Sequence, residues 1–83
     1  MATDIMEARL RTALDADRGL VKRGCSTRQL DPSGVGVSFG SAEAGAWFWA
    51  NGMFELRSDG GTSVVTVETV AEAVRYTRER LGQ

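Results

Sequence analysis

The chain contains no histidine, and it has one cysteine and one proline in 83 residues. Each shortage closes a class of chemistry. Without histidine there is no Ser-His-Asp or Cys-His catalytic set, no His-ligated zinc, and no side chain that ordinarily titrates near neutral pH. A lone cysteine cannot close an internal disulfide or build a Cys-rich zinc site. Small secreted domains usually carry disulfide staples, so the expected location is the cytoplasm. No apolar run approaches the roughly 18–20 residues that a membrane span needs. The opening Met-Ala-Thr-Asp lacks the basic-then-apolar pattern of a signal peptide, and none is expected.

Charge of one sign is also missing. Lys plus Arg is 10 and Asp plus Glu is 11, for a net charge of -1. Lys22 is the only lysine, so the basic residues are almost all arginine. With abundant alanine and glycine, this suggests GC-rich coding and a bacterial or phage source. Hydrophobic content of 42% beside 25% charged residues is ordinary globular composition. The length fits one domain over residues 1–83. A domain of this size buries roughly 60–65% of its unfolded surface, with little room for a deep pocket.

What is present reads as helix, sheet, helix. The first helix is expected from about Asp4 to Arg18, with Asp4 as cap and Glu7 in the capping-box position. Met6, Leu10, Ala13 and Leu14 form its apolar stripe, and Glu7, Arg11 and Asp15 an i, i+4 ladder on the solvent side. Gly19 can end the helix and Leu20 can fold back onto its last turn. Residues 20–30 are the hardest to assign, with Cys25 to Leu30 able to form a strand. Asp31-Pro32-Ser33-Gly34 is a turn. Residues 35–39 alternate as a half-buried strand, and Gly40 to Gly45 reads as a loop.

Asn51-Gly52 is the strongest local signal, a two-residue type I′ hairpin turn. It sets Ala50 against Met53, Trp49 against Phe54, Phe48 against Glu55, Trp47 against Leu56, and Ala46 against Arg57. One face then holds Trp47, Trp49, Phe54 and Leu56. The other holds Ala46, Phe48, Ala50, Met53, Glu55 and Arg57. A one-residue slip would destroy this segregation. Asp59-Gly60-Gly61 makes the next turn, and Ser63 to Val67 is a β-branched strand. Thr69 to Glu72 is a capping box opening the last helix, which Gly82 closes. Val70, Ala73, Val74, Thr77 and Leu81 form its buried stripe. The expected fold is α+β, a two-layer sandwich: a helix, a four- or five-stranded antiparallel meander, then a helix, with both helices on one sheet face.

Two features remain for function. Arg18, Lys22, Arg23 and Arg28 occur without an intervening acid, a local bias suited to an acidic protein surface, a nucleoprotein complex or nucleic-acid phosphates. Phe48 and Met53 sit on the sheet face that the helices should leave open, and an apolar patch there suits a partner or dimer surface. The segment 18–30 could instead cover that patch. Cys25 lacks a base, Asp15 and Asp17 diverge on a helix, and the glycine pairs match no phosphate loop. No catalytic residue, metal site, cofactor or membrane contact is expected. The expected function is a small non-enzymatic protein-binding module that occupies a partner surface, as an adaptor or inhibitor. An anti-defence protein of anti-CRISPR type, from a phage or mobile element, is one form of it. A homodimer is compatible with this reading. The alternative is a nucleic-acid-binding regulator using residues 18–28, made weaker by the near-zero net charge.

Overall fold

A computed structural model describes residues 2–58 and 60–81, the first three of these (2–4) by their backbone alone. The elements are α1 (Ala2–Ala16), α2 (Arg18–Lys22), β1 (Cys25–Gln29), β2 (Val35–Phe39), β3 (Ala42–Ala50), β4 (Met53–Arg57), β5 (Ser63–Val67) and α3 (Val70–Arg80). The strands lie in chain order β1-β2-β3-β4-β5, each antiparallel to the next. Helix α1 packs on β1, β2, β3 and α3, while α2 packs on α1 and β1. This is the expected two-layer α+β arrangement, with five strands.

The Asn51-Gly52 turn has positive φ at both residues, 55° and 76°, as a type I′ turn requires. The β3–β4 register is the one that the turn dictates, from Ala50 opposite Met53 to Ala46 opposite Arg57. The core therefore collects on one sheet face. Val35, Val37, Trp47, Phe54 and Leu56 meet Leu10 and Leu14 of α1, Leu20 of α2, and Ala73 and Val74 of α3, all buried. Burying a side chain of the Leu, Val or Phe kind contributes roughly 1.5–3 kcal/mol, so these contacts dominate the stability. Trp47 sits edge-on to Phe54 and Tyr76 at 6.5 and 6.1 Å. Its indole N–H donates to the Thr77 hydroxyl at 3.0 Å, which in turn donates to the Ala73 carbonyl at 2.8 Å. The one polar atom of the largest core side chain is thus satisfied by α3.

Several local expectations change. The long first helix divides: α1 stops at Ala16, and Asp17 caps a second short helix by accepting the Leu20 N–H at 3.0 Å. A cap side chain competes with continued helix because it satisfies the free N–H groups of a new first turn. The left-handed stop falls at Gly24, φ 82°, rather than at Gly19. Leu20 does turn inward, and it is fully buried. The helix starts at Ala2, ahead of Asp4. The Asp4 side chain, Asp59 and Gly82 lie outside the described residues, and with them the expected cap, the centre of the Asp59 turn and the terminal stop. Residues 40–45 are mostly strand, because a tight turn at Gly40-Ser41 lets β3 begin at Ala42. A bulge at Val37/Ser38 leaves Ala44 without an opposite residue.

The largest change concerns Glu7. It is fully buried rather than solvent-facing. Its Oε1 accepts the Gly34 N–H at 2.8 Å and its Oε2 accepts the Trp49 N–H at 3.2 Å. The ends of β2 and β3 would otherwise leave these two donors without partners in the interior, so the carboxylate takes a core position. Among the described residues no helix is long and apolar enough to cross a membrane.

Candidate functional site

With α1, α2 and α3 on the Trp47 side, the opposite sheet face carries no helix among the described residues. The strand alternation places Arg28, Gly36, Ser38, Ala46, Phe48, Glu55, Arg57 and Thr66 there, beside Met53 at the hairpin end. Segment 18–30 is divided between the faces: α2 turns Leu20 into the core on the other side, while the Arg28 and Leu30 side chains lie on this face against Gly36 and leave Met53 exposed.

Phe48 is the centre of this surface. Its ring lies against Gly34, where a built Cβ would fall 2.6 Å from Phe48 Cε1. Gly34 has φ 113°, so the site demands glycine for conformation and for space. Above the ring stands Arg57, with Cζ 4.9 Å from the ring centroid. Such a contact contributes about 0.5–1 kcal/mol at an exposed site and holds both groups in place. Arg57 also donates to Glu55 at 2.8 Å. This bond, followed by one from Ser63, holds the Glu55 carboxyl below its ordinary range. On the β2 side Arg28 pairs with Glu43 at 2.7 Å. Arg28, Leu30, Gly36, Ser38, Glu43 and Ala46 ring a depression of about 160 Å³. That is smaller than the several hundred Å³ usual for a small-molecule site. Met53 is 39% exposed at the end of the face. The result is a shallow surface with an aromatic, a methionine and two arginines, residue types enriched where proteins meet.

The four basic residues of 18–28 do not form one patch. Arg23 donates to the Arg78 and Leu81 carbonyls at 2.6 and 2.7 Å, and its guanidinium lies 5.1 Å from the Phe39 ring centroid. It closes the C-terminal end of α3, where carbonyls lack helical partners and favour a cation. Arg28 belongs to the open sheet face. Arg18 and Lys22 flank the exposed Val21 on α2, next to an apolar strip of Ile5, Ala8, Thr12 and Ala16 on α1. So the structure places Arg28, Phe48 and Met53 on one sheet face, without contact between Arg28 and Met53, and separates them from Arg18, Lys22 and Arg23.

Arg57, Glu43, Gly34 and Glu7 complete the surface or hold it, and sequence reasoning did not single them out. Two had a usable signal: Glu7 stands three residues before Leu10 and seven before Leu14, on their stripe, and the hairpin register sets Arg57 on the Phe48 face.

Cys25 is partly buried, and burial pushes its thiol up, reinforced by the nearby Asp15 carboxylate and opposed by Arg23. A raised thiol is a poor nucleophile at neutral pH. Among the described residues no group of three or more Cys, Asp or Glu side chains is placed to hold a metal ion. Comparison with protein-family models, with curated proteins and with solved structures gives no match for this chain.

Proposed function

We propose that this protein is a small non-enzymatic binding module that acts in the cytoplasm by occupying the surface of a partner protein, as an adaptor or an inhibitor. The observation that carries the reading is the helix-free sheet face on which Phe48 and Met53 lie on the hairpin side of a cross-strand row that runs from Arg28 to Arg57. A partner with a flat apolar patch edged by carboxylates would bury Phe48 and Met53 and take over the arginines from Glu43 and Glu55. An anti-defence inhibitor of a phage or mobile element is the specific form that a bacterial or phage origin favours. The nucleic-acid reading has less support, since Arg23 binds α3 carbonyls and Arg28 a carboxylate.

The test is affinity capture from bacterial lysate with four proteins: wild type, M53E, R28E and the double variant R18E/K22E. The expected result is a set of proteins held by wild type and by R18E/K22E and lost with M53E and R28E. Equal recovery by all four, or no protein retained by wild type, would sink the reading.

A further inference from the structure

We propose that a second copy of this chain pairs antiparallel with the outer edge of β5, joining two sheets into one. Among the described residues no strand lies beside that edge. The two edges of the sheet are treated differently. β1 is flanked by α1 and α2 and carries Arg28. β5 reads Ser-Val-Val-Thr-Val, with no charge, proline or glycine, and Val64 is 50% exposed. Natural sheets guard a free edge with such residues, because an open row of N–H and C=O groups recruits strands. The bulge near Arg57 and Ser63 kinks only the first part of β5, and Val65 to Val67 keep regular pairing with β4.

Self-pairing fits this edge better than a foreign strand does. A two-fold axis through Thr66 sets Val65 against Val67 of the second copy and Thr66 against its equivalent. These are β-branched pairs with no like charges opposed. The same axis, normal to the sheet, places both α3 helices on one side and antiparallel across the seam. The outer row of α3 runs Glu72, Arg75, Glu79, Arg80, and with Val67 and Tyr76 it borders a groove of about 230 Å³. Alternating signs make this row complementary to an antiparallel copy of itself, whereas a uniformly acidic or basic partner would meet repulsion. One guarded edge and one open edge stop the assembly at two copies. The open faces of both copies then point the same way.

The test is analytical ultracentrifugation of wild type, T66K and R75E over a wide concentration range, with circular dichroism and thermal melts alongside. Thr66 is exposed and opposite Glu55 of its own sheet, so T66K adds an edge lysine without disturbing the monomer. In the dimer it opposes lysine to lysine. R75E makes the α3 row acidic at 72, 75 and 79, and it reads the interface from the helical layer should T66K fail to fold. Wild type is expected at twice the monomer mass, with the dimer Kd raised about tenfold or more in each variant, equivalent to ~1.4 kcal/mol. Wild type that stays monomeric throughout, or a dimer that neither variant weakens, overturns the proposal. R75E lies away from the Phe48 face, so its effect on self-association is separable from partner capture.

Discussion

Glu7 shows how one polar side chain can be part of a core. Its two oxygens meet two backbone N–H groups, one just before β2 and one within β3, and it is fully buried. Replacement by glutamine keeps the shape but turns an amide NH₂ toward a backbone donor. E7Q should cost about 1–2 kcal/mol and E7A about 3 kcal/mol, since alanine leaves both donors unsatisfied and a void besides. Urea unfolding followed by circular dichroism measures both, and a change below about 0.5 kcal/mol for E7A would show that the clasp is dispensable. Gly45 is a second residue-level constraint. Its φ is 152°, and a built Cβ would fall 2.7 Å from the Arg57 carbonyl oxygen. A backbone atom cannot step aside as a side chain can, so G45A should cost about 2 kcal/mol or more in the same assay.

At the scale of elements, the corner between α1 and α2 is tied to α3. Asp17 caps α2 through the Leu20 N–H and also receives Arg78 of α3 at 2.7 Å. The Leu20 bond first and the Arg78 bond second hold the Asp17 carboxyl below its ordinary value of 3.8. A depressed carboxyl stabilises the fold when ionised. That contribution is complete above the unfolded value and fades as pH falls through the folded one. D17N keeps a good cap but loses the charge. Its melting temperature should drop only slightly at neutral pH, and its decline below about pH 4 should be shallower than wild type. A parallel acid limb in both proteins would remove Asp17 from the account. Arg23 makes a second tie at the same C-terminal end of α3, to the Arg78 and Leu81 carbonyls. R23A should lower stability by about 1 kcal/mol, or roughly 4–8 °C in melting temperature, as loss of bonds to the terminal carbonyls.

At the scale of the whole molecule, the buried core and the proposed binding surface lie on opposite sheet faces. R28E and M53E act on exposed groups and should leave the melting temperature within a few degrees of wild type, since an exposed ion pair contributes about 1 kcal/mol at most. A large drop in either would show that the open face is needed for folding. The sequence alone determined what local chemistry can encode. A two-residue Asn-Gly turn sets hairpin register without help from distant residues, and alternation then assigns Trp47, Trp49, Phe54 and Leu56 to one face. The capping threonine at 69 and the β-branched run at 63–67 are equally local. Tertiary structure decided the rest, because the partners are far apart in the chain. Arg23 meets carbonyls 55 and 58 residues away, Glu7 meets N–H groups 27 and 42 residues away, and no periodicity reports such pairings. A run of basic residues that looked like one surface was thereby divided among a helix end, a sheet face and an exposed turn of helix. The hydrogen-bonding needs of buried backbone, which only the assembled fold exposes, drew one carboxylate inward.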